Sequence, residues 1–433
     1  MGNKSTSKRP AHVKKYNSWR IRILYSIIIG YSTFYLCRQN FNIAMPALME
    51  HFEVTKTQLG WILTAASIVY GIGKLLNGFL SDRSNGRIFM VVGLGIVGII
   101  TLAAAFVPSI LILGLLWILN NWFQSMGWPP ATRMLTHWYA PKELGMKWSL
   151  GATSNQLGGA MSMIICGYLV ETYGWESAFI VPGIVALIIS LFLYNRLRNS
   201  PADVGLPIVE EYKECELPTK EEYKHLSISA LLKLIFHNKL MWYVCIANMF
   251  VYMVRLGIVF WAPLFLYQLK NISISDIGWQ LASYEMVGLI GGIGAGWMSD
   301  KIFHGRRGPV GSVFMLALSV TLILFWQLPS EYEGLSLIII TLAGFFVSGP
   351  QVLIGIATAD FTNKQVVGTA NGLSGLFGYL GSAIAGICVG WISDGFGWDG
   401  VFIFFSLAAF LGAAFFALTW NYNSRIGYGS QLI

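Results

Sequence analysis

Two arginines, a lysine and a glutamate lie inside stretches that are otherwise too apolar to hold them. Arg38 sits within Ile21–Met45, Arg255 within Tyr252-Met-Val-Arg-Leu-Gly, Lys74 within Tyr70-Gly-Ile-Gly-Lys-Leu and Glu285 within Ser283-Tyr-Glu-Met-Val-Gly. A cation at the depth of a bilayer costs about 2.5–3.5 kcal/mol even on lenient insertion scales, so such a residue marks a functional site by default. The planar fork of arginine suits bidentate binding of a phosphate or carboxylate. The chemistry expected here is therefore capture of an anion, and Arg38 and Arg255 are expected to meet across a central cavity.

Other polar groups accompany these charges. Tyr35 and Tyr31 lie three and seven residues before Arg38, on roughly one helical face. Tyr70 precedes Lys74 by four residues, Tyr252 precedes Arg255 by three, and Gln156 and Tyr379 occupy matching places in two similar segments. Phenol and amide groups at such sites can bind the hydroxyls of a sugar or glycerol moiety. The plainer alternative is that the tyrosines pack and that each arginine pairs privately with a carboxylate or caps a carbonyl. The spans hold too few carboxylates for that: Glu285 is the main candidate, with Asp360 near the end of another span.

The elements that must position these groups are transmembrane helices. The 433 residues are 55% hydrophobic and only 12% charged, with mean hydropathy +0.59. A soluble domain carries about 25% charged residues. Twelve apolar spans are predicted, at about 22–48, 58–80, 87–107, 109–137, 144–170, 176–195, 238–268, 277–301, 309–328, 335–359, 366–392 and 399–420. The fold class expected is an all-α membrane protein of twelve transmembrane helices in two pseudo-symmetric six-helix halves. Residues 1–21 form an N-terminal tail, 22–195 the first bundle, 196–237 a linker, 238–420 the second bundle and 421–433 a C-terminal tail.

Lysine and arginine concentrate in the N-terminal tail, the linker and alternate loops, which puts both termini in the cytoplasm. The net charge of +8 is thereby a matter of topology, and no nucleic-acid partner is expected. The five cysteines are scattered without a CxxC pair, so neither a metal nor a disulfide framework is signalled. No phosphate-cradling nucleotide motif is present and no cofactor is expected. No nucleophile–base pair lies in the spans, which ranks a membrane enzyme acting on phosphate esters far below a carrier.

The halves repeat. Gly78-Phe-Leu-Ser-Asp82 recurs as Gly296-Trp-Met-Ser-Asp300, 218 residues later, and Tyr173-Gly-Trp175 recurs as Phe396-Gly-Trp398, 223 residues later. Arg38 and Arg255 are 217 apart, so they occupy equivalent places. A duplicated unit of this kind places its substrate near the midplane between halves and alternates access by rocking. Asp82, Arg83 and Asp300, at helix ends next to basic loops, read as conformational locks rather than substrate contacts.

These residues carry a resemblance. Tyr35-Leu-Cys-Arg38-Gln-Asn-Phe-Asn, Tyr70-Gly-Ile-Gly-Lys74, Ser81-Asp82-Arg83-Ser-Asn, Trp122-Phe-Gln-Ser-Met-Gly-Trp128-Pro-Pro, Asn248-Met-Phe-Val-Tyr-Met-Val-Arg255 and Gly349-Pro-Gln-Val-Leu-Ile-Gly355 resemble the organophosphate:phosphate antiporter family of the major facilitator superfamily. The resemblance implies exchange of a phosphorylated metabolite for inorganic phosphate, with Arg38, Arg255 and Lys74 as the family's cations and Glu285 as its glutamate. Asn155 stands where the glycerol-3-phosphate and bacterial hexose-phosphate branches carry a histidine. Asparagine hydrogen-bonds phosphate but supplies no proton. The Gly-Pro-Gln run is similar to the hexose-phosphate branch, so hexose 6-phosphate is the expected substrate. The alternatives are glycerol 3-phosphate, or a transporter-like sensor of hexose phosphate. The remaining expectations are a monomer in a bacterial inner membrane, with lipid, organophosphate and inorganic phosphate as its partners.

Overall fold

The computed structural model describes residues 9–209, 238–329, 331–362 and 367–422, and the described residues are helical throughout with no strand. We number the helices α1 (Arg9–Phe52), α2 (Lys56–Arg83), α3 (Gly86–Ala104), α4 (Ile110–Gln124), α5 (Trp128–Trp138), α6 (Pro141–Ala152), α7 (Ser154–Tyr173), α8 (Ser177–Arg196), α9 (Lys239–Lys270), α10 (Ile274–Lys301), α11 (Arg307–Gln327), α12 (Glu333–Asp360) and α13 (Val367–Ala417). Helices α4 and α5 make one span, α6 and α7 another, and α13 makes two, which gives twelve.

Local chemistry accounts for the interruptions. The fourth span breaks at Ser125-Met-Gly127, and Pro129-Pro130 then open α5, where their missing N–H groups cost nothing. Gly127 allows that break to sit against α1, since a Cβ there would lie 2.9 Å from the Tyr31 ring. The fifth span breaks at Thr153, one residue before the segment that carries Asn155 and Gln156. At about 1.5 Å per residue the 51 residues of α13 are far too long for one crossing of a 30 Å core. Gly397, at φ +69°, turns the chain between its two spans.

Three features differ from the sequence reading. The N-terminal segment is helical from Arg9, continuous with α1, and Tyr16 is fully buried beside Trp138. The start of the linker is likewise packed: Leu197 and Leu206 join the same cluster, and Trp138 donates from Nε1 to the Arg198 carbonyl at 3.1 Å. Residues 210–237, most of the linker, lie outside the described residues, as do 1–8 and 423–433 of the tails. Finally, by length and apolar content eight helices qualify as spans, and α1, α7 and α10 are not among them. Those three carry Arg38, Asn155 with Gln156, and Glu285, which lower their mean hydropathy.

Helix contacts are made through glycine. A Cβ on Gly291 would fall 2.1 Å from the Phe345 carbonyl oxygen, and one on Gly344 would fall 2.2 Å from that of Tyr284, so α10 and α12 meet backbone to backbone. Gly158 brings α7 equally close to Ser32 of α1. Gly291→Ala or Gly344→Ala is expected to destabilise by about 1–3 kcal/mol through overpacking, whereas Gly296→Ala, which has open space around it, is expected to be neutral. Thermal unfolding of the detergent-solubilised variants checks this; equal melting temperatures for all three would refute the packing account.

Candidate functional site

Arg38 is held by the anchoring of α1. On the turn around it, Ser162 of α7 donates to the Leu36 carbonyl (3.0 Å), Gln124 of α4 to the Cys37 carbonyl (3.1 Å), and Asn40 to the Ala178 carbonyl of α8 (2.9 Å). Three neighbouring helices thus fix the rotation of α1. The guanidinium lies over the Tyr70 ring at 4.0 Å and the Tyr35 ring at 5.5 Å, cation–π contacts that stabilise it without neutralising it.

Arg255 has a different partner. Its Nη2 reaches Glu285 Oε2 at 3.4 Å, both side chains nearly buried at 10% and 6% exposure. Glu285 packs against Gly159 of α7, where a Cβ would stand at ordinary contact distance, 3.5 Å, from its side chain. Of the two glycines of the Gln156-Leu-Gly-Gly segment, it is Gly158 that the close approach requires, since a Cβ there would lie 2.5 Å from the Ser32 carbonyl oxygen of α1.

Tyrosines join the two charged clusters. Tyr70 and Tyr379 meet at 4.8 Å between ring centroids, Tyr379 and Tyr252 at 5.6 Å, and Tyr31 and Tyr35 at 5.5 Å. Lys74 places its ammonium 5.5 Å from the Tyr379 ring. Tyr35 is within electrostatic reach of Arg38, Arg255 and Glu285 alike. These contacts group Arg38 with Tyr35 and Tyr70, Lys74 with Tyr379, and Arg255 with Glu285.

Two adjoining cavities open beside this cluster. One, of about 810 Å³, includes Lys74, Thr132, Asn371 and Tyr379 in its lining. The other, of about 570 Å³, includes Asn155, Gln156, Ser348 and Gln351, and both share Trp148 and Val352. The side-chain carbonyl oxygens of Asn155 and Gln156 are buried with no hydrogen-bond partner. Gln351 is a residue the sequence reading quoted within a motif but did not place in the site; it reaches the Tyr252 hydroxyl at 3.4 Å. Trp128 and Trp148, which stack edge to face at 5.8 Å, were likewise not singled out, because tryptophan in an apolar span carries no signal of its own.

Charge accounting defines what this site can do. Among the described residues, no salt bridge reaches Arg38 or Lys74. Three cations therefore face one carboxylate. A region of low dielectric with about two uncompensated positive charges favours a dianion.

The lock residues are distributed unevenly. Asp300 pairs with Arg307 at 2.5 Å, and Arg307 also binds Asp360 at 3.0 Å, all at one end of the second half. Asp82 is exposed and in no ion pair among the described residues, and Arg83 lies over Phe79 at 3.7 Å. In the first half it is Arg133 that ties this end, donating to the Ser81 and Ser84 carbonyls at 2.5 and 2.6 Å. Asp360, read from sequence as a spare site carboxylate, is occupied by Arg307.

A twelve-helix bundle with cavities between its halves, lined in part by Lys74, Tyr379, Asn155 and Gln156, has the build of a membrane solute carrier. The profile of the Major Facilitator Superfamily matches residues 27–328 and 268–426, and the chain belongs to that family, among membrane transport proteins and not enzymes. It is 39% identical over 95% of its length to a probable hexose phosphate transport protein of Chlamydia pneumoniae, covering 93% of that protein. It is 37% identical to the glycerol-3-phosphate transporter of Bacillus subtilis (95% and 94% covered) and 34% identical to the membrane sensor protein UhpC of Escherichia coli (92% of each). Among solved structures, a bacterial homologue of the human lysosomal transporter Spinster, inward-facing and unoccupied, superimposes with a TM-score of 0.79 at 15% identity over 95% of this chain and 98% of that one.

The ion pair yields a prediction. Glu285→Gln leaves a third cation uncompensated, so the unliganded protein should melt lower, while added inorganic phosphate should raise its melting temperature by more than it does in the wild type. Loss of one partner from a buried pair costs about 3–5 kcal/mol. Identical melting behaviour of variant and wild type, with and without phosphate, would remove Glu285 from the site.

Proposed function

We propose that this chain is a secondary transporter that exchanges an organophosphate for inorganic phosphate by alternating access. The observation that carries the reading is the excess of positive charge in the chamber: Arg38 and Lys74 without a carboxylate, opposite Arg255 with one. A phosphate monoester carries about −1.5 to −2 charge at neutral pH, which matches that excess. Arg38 and Arg255 clamp the phosphoryl group and Lys74 assists. Asn155 donates to a phosphoryl oxygen through its amide N–H, and its free carbonyl oxygen, like that of Gln156, accepts from a hydroxyl. Tyr31, Tyr35, Tyr70, Tyr252 and Tyr379 line the remaining surface.

Exchange follows from the charge excess. An empty chamber holds cations that repel one another in a poor dielectric, so the return stroke is easier with phosphate aboard than without. Glu285 provides a partial substitute by pairing with Arg255, and arriving substrate competes for that arginine. With Asn155 in place of an ionisable group, the cycle needs no proton at this position.

The resemblance of the Gly349-Pro-Gln351 segment to the hexose-phosphate branch, and the two orphaned acceptors, support hexose 6-phosphate over glycerol 3-phosphate. The excess of lysine and arginine at the end where the cavities open supports a cytoplasm-facing conformation, both termini inside, in a bacterial inner membrane. We take the two bundles, 22–195 and 238–420, as the bodies that rock, each chain acting as a monomer. Similarity to a membrane sensor keeps a second reading open, in which hexose phosphate is bound and reported rather than carried.

Proteoliposomes loaded with labelled phosphate discriminate. Stoichiometric efflux against external glucose 6-phosphate is expected, with Arg38→Lys or Arg255→Lys abolishing exchange in a folded protein. Retained exchange in either variant would overturn the clamp, and binding without exchange in the wild type would establish the sensor.

A further inference from the structure

At the end of the bundle away from those two cavities, two contacts between the halves obey the duplication. Glu171, at the end of α7, accepts from the backbone N–H of Ser275 at 2.7 Å. Asp394, in α13, accepts from the backbone N–H of Thr57 at 2.8 Å and from its hydroxyl at 2.7 Å. Glu171 and Asp394 stand 223 residues apart, and Thr57 and Ser275 stand 218 apart. These are the two offsets at which the sequence repeats. Each half thus sends a carboxylate to a helix of the other.

The receiving helices are prepared for it. A helix leaves its first N–H groups without internal partners, and its positive end favours an anion. In α2 the Thr55 side chain accepts from the Gln58 N–H at 3.2 Å, and in α10 the Ser273 side chain accepts from the Asp276 N–H at 3.1 Å. Each cap serves the third helical residue and leaves the second, Thr57 or Ser275, for the foreign carboxylate.

The donating helices are shaped to reach. One turn before each acid stands a glycine at the contact. A Cβ on Gly167 would lie 2.9 Å from the Ile274 carbonyl oxygen, and one on Gly390 would lie 2.6 Å from that of Lys56. The next contact inward repeats the arrangement, with Gly278 against the Met163 carbonyl at 2.4 Å and Gly60 against that of Gly386 at 2.7 Å. Any side chain at these positions would hold the helices apart and the carboxylates out of range.

We propose that Glu171 and Asp394 are paired latches of the outer gate, each closing it by capping the start of a helix in the opposite half. Both contacts must break when the halves rock, since each joins the two moving bodies. Both acids are exposed at the rim, so water replaces the lost bonds and the latches remain releasable. This assignment rests on the alternating-access reading but not on the identity of the substrate.

The test needs no substrate. Spin labels introduced bioorthogonally at Phe106 and Tyr332, exposed positions at the outer ends of the two halves, report gate opening in the full chain in lipid nanodiscs. Glu171→Gln and Asp394→Asn should each raise the outward-open fraction several-fold, and together on the order of tenfold. Ser275→Pro and Thr57→Pro, which remove the donor and keep the acid, should shift the distribution in the same direction. An unchanged distance distribution in the double acid variant overturns the latch. Because phosphate is absent throughout, this result is independent of whether the chamber exchanges it.

Discussion

A permanent cation held inside the bundle without a carboxylate partner among the described residues is the constraint on which the rest depends. Arginine does not relieve the problem by deprotonating, so the protein must stabilise it by other means. Around Arg38 the means are the faces of Tyr70 and Tyr35. Aromatic faces lower the energy of the cation yet leave its charge and its N–H fork available. A carboxylate in the same place would have satisfied the arginine and removed its reason to bind anything. The tyrosine cluster is therefore more than packing: it permits a stable fold with an unsatisfied charge.

The scaffold is symmetric and the site is not. Duplication places Arg38 and Arg255 at matching depth in α1 and α9, but their surroundings have diverged. Arg255 is paired with Glu285 of α10. Arg38 received tyrosine in place of an acid, and Lys74 was added from α2. One arginine is thus paired with a protein carboxylate, while the other has no salt bridge among the described residues.

Much of this was legible in the residues themselves. Charges inside apolar runs pointed to the candidate site, and the repeat offsets placed the two arginines at equivalent positions of the two halves. The breaks in the fourth and fifth spans were less legible. Pro129-Pro130 marks the first break, but nothing as plain marks the second, at Thr153. The start of the linker was read as a polar tether, yet Leu197 and Leu206 bury against Trp138 and Tyr16. Two apolar residues in a charged stretch are a weak signal until the surface that receives them is known. Asp360 was misjudged for the related reason that its partner, Arg307, lies 53 positions away along the chain and on another helix.

The way the closed end is sealed also follows from the need to reopen it. A carrier's two conformations must lie within a few kcal/mol of each other, since a ligand shifts the balance only by its differential affinity for them. An outer seal made of interlocked large side chains would put one state out of reach. Here Thr64 and Ser67 of α2 meet the Ala383 carbonyl and Ser382 of α13 through small polar contacts at 2.8 and 3.0 Å, beside close-packed glycines. Hydrogen bonds of this kind contribute about 0.5–1.5 kcal/mol net, and water can take them over once the surfaces part. Small residues also present shallow relief, so the helices separate without first repacking. The chemistry that makes the seal tight when shut is the same chemistry that keeps it weak enough to open.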